Sequence, residues 1–313
     1  MADLRRTRIS REMSLAALAV VPGAEGWMID RMTSLLEEQE VRSGDVIFSA
    51  GDLPDHIYFM RQGRIRLTRE GAPPWTFEGR WVIGVFDVTL DRPRTRTATA
   101  LDDLHLMKVQ ADAWLELLED SFQLARGALF NQARTLASLE DQLGAGADIS
   151  GPGAPVTMWI PKRPLDLVER MATLTEMPLL QGAGVQTLAD LAAVTTEVVF
   201  EPGQRLLERG VPRDRLLLVL EGEAEASRSA PEIVRRFGPG SLVCGAAAIG
   251  EPGLAWEVTA GVRTRVLSLL ITDWLDLMED HFDLLRAALA TLTTERERLL
   301  DQLAAKTGEL TLR

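Results

Sequence analysis

Apolar residues in this chain fall into two textures, and each texture occurs twice. Asp45–Ser49, His56–Arg61, Arg64–Arg69 and Leu104–Val109 are short runs rich in Val, Ile, Leu and Phe, with glycines between them. Such runs predict β-strands joined by tight turns. Ala113–Leu143 and Asp273–Leu303 are long, free of proline and spaced with a helical period, so they predict helices. In the second of these, Met278, Leu285, Leu292 and Leu299 form one stripe and Phe282, Leu289 and Leu303 adjoin it, with Arg296 interrupting. Leu118, Phe122, Leu129, Leu136 and Leu139 form the corresponding stripe in the first. A stripe of this kind either docks on its own domain or pairs with another helix, and the pattern leaves both open.

The repetition extends to individual residues. Gly44, Gly51, Asp55 and Gly63 recur as Gly203, Gly210, Asp214 and Gly222 without a gap. Asp112-Ala-Trp-Leu-Glu-Leu-Leu-Glu-Asp120 recurs as Thr272-Asp-Trp-Leu-Asp-Leu-Met-Glu-Asp280. Phe122, Arg126 and Asp141-Gln-Leu143 recur as Phe282, Arg286 and Asp301-Gln-Leu303. The chain is therefore an internal duplication. Between the copies, Gly144–Pro155 is rich in Gly, Pro and Ala, the composition of a linker. The expected organisation is a first domain over residues 1–143, a linker over 144–162 and a second domain over 163–313. Many short strands and a trailing helix in each copy predict a mainly β architecture, two jelly-roll barrels in tandem, each followed by a long α-helix.

Composition narrows the function. The 313 residues carry a net charge of −12, which disfavours a broad phosphate-backbone interface. Arg5, Arg6, Arg8 and Arg11 form a local basic cluster, read as a solvated terminus. The apolar run Met13–Val21 follows these arginines, but Glu12 abuts it and no clean cleavage pattern follows, so it reads as a helix. No segment reaches the ~20 apolar residues of a membrane span. One cysteine, Cys244, permits no intramolecular disulfide, and a cytoplasmic location is expected. His56, His105 and His281 are scattered, no Cys/His set has metal spacing, and no nucleophile or phosphate-loop motif is present. Glu116, Glu119 and Asp120 read as the solvated face of a helix. No catalytic role, no metal and no cofactor are expected.

The pattern Gly-x-x-(apolar)-x-x-x-Gly, then Asp and an apolar run ending in Gly, resembles the opening of cyclic-nucleotide-binding domains. These occur in catabolite-activator-type regulators, kinase regulatory subunits and nucleotide-gated channels. The resemblance covers both copies. It implies a phosphate-binding cassette in which a glutamate contacts the ribose and an arginine, at fixed spacing after it, pairs with the cyclic phosphate. In the first copy, Leu90-Asp-Arg-Pro-Arg-Thr95 resembles the end of that cassette. The implied ligand-binding residues are Gly84, Val85, Arg94 and Thr95, with Val85 standing where the family has its glutamate. Asp87, two residues on, reaches that role only with a backbone shift. In the second copy the corresponding residues are Gly245, Ala246, Leu254 and Ala255, which lack both ligand-reading side chains, so that site reads as degenerate.

Two readings of function remain. In one, the chain is a non-enzymatic regulatory protein whose first domain senses a cyclic nucleotide or related anion through Arg94 and acts on a protein partner. In the other, Arg94 is a relic, and Arg92, Arg94 and Arg96 alternate along an exposed strand edge. The chain is then a ligand-independent adaptor that self-associates through its long helices. Trp81 and Trp256 lie near the two cassettes, either to stack on a base or as core residues. Kinase regulatory subunits show that a tandem of this kind can act in trans, but their docking and inhibitory segments have no counterpart here. A DNA-binding regulator is not expected, since no recognition helix follows the second trailing helix.

Overall fold

Six glycine landmarks recur because the turns they form recur. At Gly63 and Gly222 the backbone takes φ of +94° and +86°, and an added Cβ would lie 2.3 Å from the Leu104 side chain or 2.4 Å from the Arg263 carbonyl. Only glycine tolerates both conditions. Asp55 and Asp214 repeat for a related reason. Their carbonyls accept the first amide of the following helical region, from Ala111 and Ile271, each at 2.8 Å.

The structure, a computed structural model, describes residues 26–144, 160–177, 180–229, 232–244, 249 and 256–313. The arginine cluster, the run Met13–Val21 and most of the linker lie outside the described residues, as do Gly245, Ala246, Leu254 and Ala255. The chain divides into two units. One comprises Met1–Asn131 with Arg296–Arg313, the other Gln132–Glu295.

In the first unit, α1 (Gly26–Leu35) precedes eight strands: β1 (Glu37–Val41), β2 (Val46–Phe48), β3 (His56–Met60), β4 (Arg64–Arg69), β5 (Ala72–Glu78), β6 (Trp81–Ile83), β7 (Thr97–Ala100) and β8 (Leu104–Gln110). The short helix α2 (Val85–Thr89) separates β6 from β7, and α3 (Ala111–Asp120) leads into α4 (Phe122–Leu143), which belongs to this unit as far as Asn131. One sheet has the order β1-β8-β3-β6. The other has β16-β5-β4-β7-β2, where β16 (Leu310–Leu312) comes from the far end of the sequence. β16 runs parallel to β5, with Leu310 opposite Trp75 and Leu312 opposite Phe77, while the other pairs are antiparallel. Period-two burial fixes the facing: Ile65 and Leu67 of β4 and Ala98 and Ala100 of β7 point inward, and Arg64 and Thr68 point out.

The second unit repeats this scheme. α5 (Leu167–Thr175) opens on a capping box made by Asp166 and Glu169, and α6 (Val185–Val194) follows. β9 (Thr196–Phe200), β10 (Arg205–Leu207), β11 (Arg215–Glu221), β12 (Ala224–Ser229), β13 (Glu232–Phe237), β14 (Glu257–Ala260) and β15 (Thr264–Leu270) lead to α7 (Ile271–Asp280) and α8 (Phe282–Thr307), which belongs to this unit as far as Glu295. The sheets are β10-β14-β12-β13 and β11-β15-β9. Leu217, Val219, Ala226, Phe237, Trp256, Val258 and Val266 are buried between them.

The mainly β, jelly-roll-like fold is as the sequence indicates, with a difference in form: each unit is a sandwich of two open sheets, not a closed barrel. The trailing segments also differ from single long helices. Each breaks once, at Ser121 and at His281, where ψ is 92° and 91°. The Ser121 hydroxyl accepts the Leu124 amide, and the His281 carbonyl accepts the Leu284 amide, so each new helix starts on its own cap. The second-copy stripe is buried within the chain: Met278, Leu285, Leu292 and Leu299 are 0–3% exposed. Among the described residues no helix is long and apolar enough to cross a membrane.

Candidate functional site

In the first unit β6 ends at Ile83, which pairs with Tyr58 of β3, and the chain then turns sharply into α2. The turn needs Gly84. Its φ is +84°, and an added Cβ would sit 2.8 Å from the Arg94 guanidinium. In the second unit Val243 donates to the Leu217 carbonyl, and the next residue, Cys244, takes φ of +62°. Cys244 thus holds the conformation there that Gly84 holds in the first unit.

Gly84, Val85 and Thr95 come together around a cavity of about 40 Å³, walled also by Phe48, Trp75 and Phe86. That volume holds only a few waters. Arg94 stands beside this group and contacts two of its walls. Its guanidinium donates to the carbonyl of Gly84 at 2.5 Å and to that of His56, and lies 4.3 Å from the Phe48 ring centre. It is 2% exposed, as is Arg96, so these two arginines are core residues and not an exposed strand edge. Burial lowers the Arg94 pKa, against the pull of Asp87, Tyr58, Asp55 and Asp52. Among the described residues no carboxylate forms an ion pair with it. Its backbone is pinned as well, by Arg94 N–H to Asp52 and Gly51 N–H to Arg94, both 2.8 Å.

Asp87 has a different partner set from a ribose contact. One of its oxygens accepts from Arg92 Nε at 3.0 Å and from the Thr95 hydroxyl at 3.2 Å, which ties the start of the cassette to its end. The cassette is then closed by residues that sequence reasoning did not single out. From the end of α8, Glu297 accepts from Arg92 at 2.6 Å, and Asp301 accepts from Arg96 and, at 2.8 Å, from Arg69. Arg96 lies 3.7 Å from the Trp75 ring centre. Burial lowers the Arg96 pKa, with Asp301 opposing. Arg92 is raised, since its bonds to Glu297 and Asp87 outweigh burial. Arg296, from the same turn of α8, lies against the Phe86 ring, and burial pushes it down to about 10.

The second unit has a matching set made by the end of α4. Asp141 accepts from Arg228, and Glu140 accepts from Arg235 at 2.6 Å. Both guanidiniums lie over the Trp256 ring, at 5.1 and 4.7 Å from its centre. Trp256 is accordingly a buried core residue. Trp81 is partly exposed, donates to the Glu78 carbonyl at 3.0 Å and packs edge-on to Phe77. The three histidines each meet a carboxylate, His56 with Asp55, His105 with Glu38 and His281 with Asp190. No group of metal-ligating side chains occurs among the described residues. Glu116, Glu119 and Asp120 are exposed.

The family model described as cyclic nucleotide-binding domain matches residues 38–121 and 197–281. Among solved structures, the chain is similar to the regulatory domain of Toxoplasma gondii PKA with cAMP, at 16% identity and a TM-score of 0.33, covering 88% of this chain and 92% of that one. It is similar to the regulatory subunit of a cAMP-independent protein kinase A from Trypanosoma brucei, at 16% identity and a TM-score of 0.35, covering 93% and 85%. It is also similar to the sensor domain of the transcriptional regulator DNR from Pseudomonas aeruginosa, at 19% identity and a TM-score of 0.36, covering 40% and 91%. No curated protein matches the chain.

Proposed function

The chain belongs to the cyclic nucleotide-binding domain family, and on that premise we propose that it is a non-enzymatic regulatory protein whose first domain senses a cyclic nucleotide or related anion. The ligand-binding residues in this reading are Gly84, Val85, Arg94 and Thr95. One observation carries it. Among the described residues, Arg94 is a desolvated cation whose hydrogen bonds go to backbone carbonyls, with the Phe48 ring face beside it and its Nε buried without an acceptor. A guanidinium so placed gains a charge-assisted partner when an anion reaches it.

The same geometry supplies a mechanism. A cavity of about 40 Å³ is far below the ~300 Å³ of the smallest ordinary ligand pockets. Binding therefore requires the end of α8 to withdraw, with Glu297 and Asp301 leaving Arg92, Arg96 and Arg69. Ligand and helix compete for one cassette, and the ligand shifts the population toward the released helix. The released segment is what a protein partner reads. With Val85 in place of an acidic side chain, recognition rests on the phosphate more than on the ribose. The free thiol of Cys244 agrees with a cytoplasmic setting. The adaptor reading draws no support from the α8 stripe, which is already buried within one chain.

Isothermal titration of the protein with cAMP, cGMP and cyclic dinucleotides, alongside Arg94→Ala, tests the reading. Heat in the parent that disappears in the variant is the expected result. Silence with every nucleotide, or equal heat in the variant, overturns it.

A further inference from the structure

Three arginines of the second unit meet around Trp256 and Cys244. Arg228 and Arg235 lie over the Trp256 ring. Arg213 donates to the Val243 carbonyl at 3.4 Å, next to the buried Cys244. Cys244 and Trp256 belong to one core cluster. Two carboxylates face the three cations: Glu140 on Arg235 and Asp141 on Arg228. The donors are satisfied far less than this count suggests. Nε and Nη2 of each of the three arginines are buried and have no hydrogen-bond acceptor among the described residues. Arg235 is 9% exposed, so bulk water does not compensate for the missing acceptors.

Buried guanidinium N–H groups without acceptors are costly in isolation and favourable once an anion meets them. Three planar forks with one charge in excess suit a tetrahedral, multiply charged oxyanion better than a single carboxylate. We propose that Arg213, Arg228 and Arg235 form a phosphate-binding site in the second unit. The site lies on β12, β13 and the turn before β11, and it uses none of the positions where the family resemblance places cassette ligands. The second copy, bare of cassette side chains, has thereby acquired an anion site of different construction. The inference stands apart from the proposed role of Arg94.

The test uses the full chain carrying Arg94→Ala, so that any phosphate bound is not bound in the first unit. Equilibrium dialysis with radiolabelled inorganic phosphate should show one phosphate per chain. Binding should weaken about tenfold or more in Arg213→Met and again in Arg228→Met, the loss of one charge-assisted contact each. Arg213 makes no ion pair among the described residues, so its methionine variant keeps the buried Glu140–Arg235 pair intact, which a cooperative melt verifies. cAMP as competitor distinguishes a phosphodiester source, which displaces the label, from free phosphate, which alone occupies the site. Either result sustains the phosphate chemistry. No bound phosphate at about 10 mM, unchanged binding in both variants, or equal displacement by acetate overturns it.

Discussion

Asp301→Asn should free the end of α8 from the first unit without unfolding the chain. Arg96 is 2% exposed and has three partners: Asp301, the Pro73 carbonyl at 3.4 Å and the Trp75 face. Removing one partner of a fully buried ion pair costs about 3–5 kcal/mol. The Asp301 side chain is 29% exposed, so water compensates in part, and the ring face remains. The second contact of Asp301, with the more exposed Arg69, adds well under 1 kcal/mol. A loss of about 2–3 kcal/mol in local docking follows, equivalent to a ~30- to 150-fold rise in the opening equilibrium. Hydrogen exchange reads this directly, as faster exchange of the amides from Arg296 to Leu312 and of β5, with β8 and β3 unchanged. A cycle with Arg96→Met should show the two changes coupled by about 1–2 kcal/mol. Exchange faster by less than about threefold, or strict additivity in the cycle, would refute the reasoning. A ligand that competes with α8 should also bind Asp301→Asn more tightly.

Further outcomes follow from other sites. Gly84→Ala forces a left-handed non-glycine residue and drives a methyl group into the Arg94 guanidinium; a cost of about 1–2 kcal/mol from the backbone alone should lower the melting temperature, and an unchanged melt would contradict the geometry. Asp283, on α8, accepts from the Gly184 amide and the Thr187 hydroxyl, capping α6 from another element, and Asp283→Ala should cost about 1 kcal/mol in a denaturant melt. Burial opposes ionisation of Asp283, but these bonds, the Leu284 amide and His281 hold its pKa below the usual carboxylate value. Its contribution is therefore present above the unfolded value of about 3.9 and fades as the pH falls through the lower folded one, so parent and variant should converge in acid. Leu292→Ala should cost about 2–5 kcal/mol as a core truncation with no change in sedimentation coefficient, whereas a stripe that holds two chains together would dissociate on the same change.

Much of the fold was legible because backbone constraints repeat. The run Arg64–Arg69 coincides with β4, and Gly63 and Gly222 recur since both turns exclude a Cβ. The breaks at Ser121 and His281 were not legible: neither position carries proline or glycine, and the apolar period runs through both. At the site, Gly84, Val85 and Thr95 line one cavity. The direction of Arg94 was not readable, since carbonyls and an anion attract the same guanidinium. Nor was the closure by Asp301. Its repetition with Asp141 was visible, but sequence similarity cannot say that Arg69 meets Asp301 and Arg228 meets Asp141.

The strand β16 sets an order of events during synthesis. Arg313 pairs with Glu78, and Leu310 with Trp75, across a separation of 235 residues in the case of the ion pair. On the ribosome, the first unit is made early and then waits with its β5 edge bare until every residue of the second unit has emerged. Domains that complete themselves in turn escape this interval, whereas a contact of such span delays closure and leaves a sheet edge available to other chains. The nascent protein is thus most prone to mispairing while its first unit lacks its last strand. A ribosome-stalled chain ending before Leu310 would display that edge in isolation, where its pairing with an added Leu310–Leu312 peptide can be measured.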